Sequence, residues 1–215
     1  MSKGKQDFDH FDVLYYINLQ HRHDRNEHIL QQLALTNIHP SKIHRIDAIY
    51  HKDFGELGCS QSHIKALEAF LQTSDDIKTC LIIEDDFMFR QKDIDFSNLN
   101  NFFDLKIDFD VFLLSGNIIH ARRTDAPYII KVEESQTTSG YCVTKQYAAK
   151  LLANFKEGAQ KLVETGHKIH HLCLDQYWKS LQPIDNWFAL YPLLGQQMAS
   201  YSDIEKKVVD YGGYS

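Results

Sequence analysis

Three adjacent carboxylates, Glu84, Asp85 and Asp86, close the apolar run LII at residues 81–83. Like charges side by side repel, and a carboxylate withdrawn from water without a partner costs on the order of several kcal/mol. A cation resolves the conflict. Mg²⁺ or Mn²⁺ takes oxygen ligands and keeps substrate phosphates in its shell. If the chain stays extended, Glu84 and Asp86 project to one side and Asp85 to the other, so Glu84 and Asp86 are the expected ligand pair. The bland alternative is a solvated strand-to-loop corner. The triplet alone names no reaction, since Mg²⁺-dependent phosphatases and nucleases also carry carboxylates at strand ends.

The remaining candidate ligands form weaker patterns. His21, His23 and His28 fall in one stretch, and His167, His170 and His171 in another beside Cys173. Neither has the second paired ligand set of a structural zinc site, although either group offers one extra Mn²⁺ ligand. Cys59, Cys80, Cys142 and Cys173 are irregularly spaced with no CxxC pair, the pattern of reduced, buried thiols in a reducing compartment.

Of the 215 residues, 43% are hydrophobic and 24% charged, which is a globular composition. The net charge of -6 and the lack of a Lys/Arg block argue against a nucleic-acid partner. No apolar stretch approaches the ~20 residues of a membrane span. The opening MSKGKQDFDHFD lacks the apolar core of a signal peptide. A cytoplasmic protein, soluble or peripheral to a membrane, is the expectation.

The elements that must position these groups alternate. VLYYIN (13–18), KIHRIDAI (42–49), TCLIIE (79–84), FDVFLLSG (109–116), YIIKVEES (128–135), SGYCVT (139–144) and NWFALY (186–191) are expected strands. Helices are expected over about 26–35, over GELGCSQSHIKALEAFLQT (55–73) with Ser60 or Ser62 as cap, from Lys145 onward, and over 170–181. Residues 1–11 read as a polar, frayed start and 206–215 as a tail, around a single domain over 12–205. Alternating strands and helices predict an α/β fold with a central, mainly parallel sheet flanked by helices. In such sheets ligands gather at the carboxyl ends of strands, where the acidic triplet falls.

Several segments together resemble the family 25 glycosyltransferases, which include lipooligosaccharide and procollagen galactosyltransferases. YYINLQHRHDR is similar to their opening, through Ile17, Asn18, Leu19, Arg22 and Arg25. GELGCSQSH resembles their Gly-Glu-rich motif, through Gly55, Glu56, Gly58, Cys59, Ser62 and His63. LIIEDD, FLLSGN, TSGYCVTKQYAAKLL and PLLGQ with YSDIE resemble later family segments, in order. Ser115 before Gly116 departs from the pattern, and HHLCLDQYW fits only loosely.

The resemblance implies a GT-A fold of the nucleotide-diphospho-sugar transferase type. It implies an inverting transfer of a hexose, galactose or glucose, from a UDP-sugar to a hydroxyl of a glycan or a collagen-like glycoprotein, with Mn²⁺ or Mg²⁺. Asp86, with Glu84, is the implied metal ligand. Asn18, Arg22, Arg25, Glu56, Ser62, His63, Asp85 and Gly116 are implied donor contacts, and Tyr141, Gln196 and Asp203 acceptor contacts. Asp175, in an aromatic setting beside Tyr177 and Trp178, is the candidate base. Each has a structural alternative: a surface pair around Asp24 for Arg22 and Arg25, and a capping or core role for His63. The competing functions are a catalytically silent carbohydrate- or nucleotide-binding protein on the same fold, or a Mg²⁺-dependent phosphatase.

Overall fold

In the computed structural model, residues 6–91, 93–202 and 207–209 are described. In chain order the elements are β1 (Val13–Asn18), α1 (His23–Leu33), β2 (Ile43–Asp47), α2 (Gly55–Leu71), β3 (Thr79–Glu84), β4 (Phe87–Phe89), α3 (Ser97–Asp104), β5 (Val111–Leu113) and β6 (Asn117–Arg123). There follow β7 (Ile129–Gln136), β8 (Gly140–Thr144), α4 (Lys145–Thr165), α5 (Leu174–Tyr177), β9 (Trp187–Leu190), β10 (Gly195–Gln197), β11 (Ser200–Ser202) and β12 (Lys207–Val209).

Eight strands form one sheet in the order β2-β1-β3-β8-β5-β9-β7-β6. Neighbour directions set six of them (β2, β1, β3, β5, β9 and β6) one way and β8 and β7 the other. The sheet is therefore mixed but mostly parallel in strand direction, as the alternation of segments predicts. The pair β10–β4 forms a separate two-stranded ladder.

Strand periodicity builds the layers. Val13, Tyr15 and Ile17 of β1 and Cys80 and Ile82 of β3 face one side, where they meet Ala66, Leu67 and Phe70 of α2 and Leu151 and Phe155 of α4. Leu14, Tyr16, Leu81 and Ile83 face the other side, against Ile29 and Leu33 of α1 and Leu99 and Phe102 of α3. Central strands buried on both faces read as continuous apolar runs, which explains VLYY and LII. The outer strand β6 differs, with exposed His120, Ala121, Arg122 and Arg123 and register shifts around His120.

Three expectations change. First, residues 6–11 are not frayed: a 3₁₀ turn at Asp7–His10 puts Phe8 and Phe11 at 0% exposure, edge-to-face at 5.2 Å. The i, i+3 spacing of a 3₁₀ turn aligns the two rings, and polar neighbours mask that spacing in the sequence. Second, residues 170–181 do not form one helix. A 3₁₀ turn (His170–Leu172), the four-residue α5 and a second 3₁₀ turn (Trp178–Ser180) take its place. Cys173 is extended, and the Trp178 indole donates to the Ser135 carbonyl at 3.2 Å, so tertiary contact overrides helix propensity. Third, Ser60 and Ser62 do not cap α2, which begins at Gly55. Their hydroxyls donate back to the Glu56 and Gly58 carbonyls.

Phe11→Ala should lower stability by about 3–5 kcal/mol, the usual cost of emptying a buried phenylalanine site. Urea unfolding measures it, and a change below about 1 kcal/mol would place residues 6–11 outside the core.

Candidate active site

The carboxyl ends of β1, β2 and β3 open into a cleft of about 350 Å³. It is lined by Glu84, Asp85 and Asp86, by the apolar or aromatic Ile17, Leu19, Ile49 and Tyr50, and by Gln136, Thr137, Thr138 and Asp175.

Each acid arrives by a different route. Glu84 is the last residue of β3 and continues the Cys80–Ile82 face, so alternation turns it toward α2. There the His63 Nε2 lies 3.3 Å from its Oε1, and the Thr138 hydroxyl donates to the same oxygen at 2.6 Å. The strand then ends, and the turn that follows brings both aspartates round. Arg25, in the first turn of α1, pairs through Nη1 with Asp85 at 3.0 Å and with Asp86 at 3.2 Å. Asn18 at the end of β1 adds an amide hydrogen bond to Asp85 at 2.7 Å. Thus Asp85 does not point away from its neighbours, as a continued extended strand would require. The turn after Glu84 puts all three acids in one cleft.

Their protonation reflects the crowding. Burial, reinforced by the charge of Glu84, pushes the Asp86 carboxyl up to about 7, against the opposing pull of Arg25. Burial also raises Asp85, despite Arg25 and Asn18. For Glu84 the cost of burial is outweighed by the hydrogen bonds of His63 and Thr138 and by the His63 charge, and the group sits below its usual value. Among the described residues Arg25 is shared by Asp85 and Asp86, while burial and the charge of Glu84 keep the proton affinity of Asp86 raised.

The other expected residues divide. Glu56 lines the cleft and pairs with Lys168 at 2.8 Å. Asp175 lines it too, its Oδ2 accepting from the Thr137 N–H at 3.1 Å and the Gln176 amide at 3.2 Å. Asn18 acts through Asp85. Arg22 pairs with Asp24 at 2.9 Å and is not among the lining residues, so of the two arginines it is Arg25 that reaches the acids. Ser62 is only 1% exposed, and its hydroxyl is engaged by the Gly58 carbonyl and the Ile49 N–H, so it ties the loop after β2 to α2.

Gly58 makes the same junction possible, because a Cβ there would lie 2.4 Å from the Ile49 oxygen. Gly116, at φ +149°, and Gln196 border a small crevice that adjoins the cleft through Asn117 and Gln197. Tyr141 is a correction: at 0% exposure it cannot touch an acceptor, and its hydroxyl instead meets His63 Nδ1 at 3.0 Å. Asp203 lies outside the described residues.

Sequence reasoning missed Thr138, Gln197 and Cys59. Thr138 lies in the turn before β8, and Gln197 approaches Asp86 at 3.5 Å from the β10 ladder. Neither position carries a local signal. Cys59 had one, since it stands four residues before His63 on a helix.

No protein-family model matches the chain, and no curated protein matches it. Among solved structures it is similar to A197 from STIV, with 13% identity over 95% of this chain and 97% of that one, at a TM-score of 0.49. It is also similar to a mannose-1-phosphate geranyltransferase from Thermus thermophilus, with 10% identity over 86% of this chain and 73% of that one, at a TM-score of 0.45. Likeness at this level says nothing about the site. Among the described residues, no helix is long and apolar enough to cross a membrane.

The raised Asp86 carboxyl fixes a pH dependence. The folded protein keeps a proton that the unfolded chain has released once pH exceeds the ordinary carboxylate range. Stability therefore falls as pH rises from that range to about 7. Asp86→Asn should remove this fall and leave the variant about 1–3 kcal/mol more stable than the parent at about pH 8 in metal-free buffer. Denaturant unfolding on either side of that window, at about pH 5 and about pH 8, tests it. Parallel profiles for the two proteins would contradict the assignment.

Proposed function

We propose that the protein is a metal-dependent, inverting glycosyltransferase of the family 25 type, on a GT-A-like sheet. It moves a hexose, galactose or glucose, from a UDP-sugar to a hydroxyl of a glycan or glycoprotein. The observation that carries this reading is the collection of Glu84, Asp85 and Asp86 in one cleft at the carboxyl ends of parallel strands, with the Asp86 carboxyl raised to about 7. The six segments that resemble the family, in order along the chain, supply the reaction class.

The donor set fits a hard cation, since the acids are oxygen ligands with more negative charge than Arg25 balances. Asp86 and Glu84 are the residues that would hold Mn²⁺ or Mg²⁺. The ion's contribution when bound is positive charge beside the departing diphosphate. Arg25 brings a guanidinium to the same place, and its planar fork suits phosphate oxygens. The apolar and aromatic side chains of Ile17, Leu19, Ile49 and Tyr50 offer a nucleoside a packing surface in the same cleft.

Asp175 lines the same cleft and is held by the Thr137 N–H and Gln176. In this reading it takes the proton of the acceptor hydroxyl while that oxygen bonds to the anomeric carbon and the sugar–phosphate bond breaks, with UDP leaving. A single displacement of this kind inverts the anomeric centre.

A UDP-release assay over a panel of UDP-sugars with Mn²⁺, Mg²⁺ or EDTA tests the proposal without knowledge of the acceptor. Mn²⁺-dependent release from UDP-galactose or UDP-glucose is expected. No release from any sugar, together with no UDP binding by calorimetry, would overturn it in favour of a catalytically silent protein. Asp86→Ala should lower turnover at least about 100-fold with the fold intact by circular dichroism. Asp175→Asn should slow transfer about 100-fold or more while UDP affinity stays unchanged, and wild-type transfer would move the base elsewhere.

A further inference from the structure

We propose that Cys59, His63 and Glu84 form a second cation site, built for a borderline-soft divalent ion of the zinc class. Residues four apart on a helix share one face, so α2 presents Cys59 and His63 together, and Glu84 comes to them from the end of β3. The Cys59 sulfur, a His63 ring nitrogen and a Glu84 carboxylate oxygen all lie within 4.8 Å of one another. The His63 Nε2 and Glu84 Oε1 are 3.3 Å apart. Tetrahedral zinc with bonds of about 2.0–2.1 Å separates nitrogen and oxygen ligands by about that distance.

The groups that orient such ligands are already in place. A metal-bound histidine normally donates its other ring N–H to a fixed partner. His63 is fully buried, and its Nδ1 meets the Tyr141 hydroxyl at 3.0 Å, which leaves Nε2 for an ion. The carboxylate has its own support, because the Thr138 hydroxyl donates to Glu84 at 2.6 Å. All three ligands line the cleft, so the fourth coordination position faces solvent or substrate, the arrangement of an open rather than a closed site.

Sulfur in the ligand set separates this site from a hard-ion site at Asp86, because thiolate favours zinc over magnesium or manganese. Burial, together with the charges of Glu84, Asp175 and Asp86, holds the Cys59 thiol in its neutral form. A cation offsets those same charges. On binding, the thiol proton leaves for solvent and the thiolate becomes the ligand. Glu84 has two oxygens and can serve both neighbourhoods. The three ligands stand together whether or not the protein is a glycosyltransferase.

Co²⁺ titrated into the purified full chain is the test. A thiolate-to-cobalt absorption band should appear, saturate at a single ion per chain and vanish on adding Zn²⁺. Cys59→Ser should lose the band. Cys173→Ser, which removes the other cleft thiol, and Asp86→Asn should both keep it. In the unmodified chain, Zn²⁺ should slow alkylation of Cys59 by iodoacetamide at least about tenfold, read by mass spectrometry. The absence of a thiolate band, a band that survives Cys59→Ser, or alkylation unaffected by Zn²⁺ would reduce the His63–Glu84 contact to an ordinary hydrogen bond. Retention of the band in Asp86→Asn distinguishes this site from the hard-ion site, whose failure would leave the band intact.

Discussion

Everything in the cleft depends on how the fold contains the charge at the end of β3. The strand is buried on both faces, so it delivers Glu84, Asp85 and Asp86 to a place with little water. Three different solutions hold them there. Glu84 is stabilised by donors from α2 and from the turn before β8. Asp85 is stabilised by Arg25 and Asn18. Asp86 shares Arg25 and keeps a raised proton affinity. Removing Arg25, the positive partner that Asp85 and Asp86 share, would leave buried carboxylates unpaired, which is strongly destabilising. Among the described residues, the result is a pocket in which Asp86 holds its proton to higher pH than an exposed carboxylate does.

Much of this was legible in the sequence, for a physical reason. Strands buried on both faces announce themselves as apolar runs, so VLYYIN and TCLIIE were readable with their ends, and the acids at those ends followed. The long helix pattern from Gly55 was readable too. What failed depended on tertiary contact. Phe8 and Phe11 are core residues in a polar setting, and only their packing on Phe89 and Phe103 reveals it. The 170–181 segment is interrupted at the extended Cys173, and Trp178 is held by its indole hydrogen bond to Ser135 and by packing on Tyr141 and Trp187. The short strands β4 and β10 make sense only as partners of each other.

At the site, residue type was easier to read than direction. The strand ends at Glu84, as its apolar pattern indicates, but the direction of Asp85 rested on extended geometry continuing beyond it, and a turn follows instead. Of the two histidine clusters, one places His28 against the Phe87 carbonyl at 2.9 Å and the other brings His170 to the lining of the cleft. The histidine that reaches Glu84 is His63, whose neighbours Tyr141 and Glu84 are 78 and 21 residues away in sequence. No local pattern encodes that meeting. It is produced by β3 and β8 lying side by side under α2.

The outer strand β6 has a consequence of another kind. An edge strand offers a row of free backbone groups to any other strand that approaches. Here that row carries His120, Arg122 and Arg123, and its ladder is irregular where His120 breaks the register. A second copy aligning β6 against β6 would bring arginine to arginine across a twisted seam. Among the described residues β6 thus ends the sheet on this side, and its exposed His120, Arg122 and Arg123 are side chains that discourage edge-to-edge pairing.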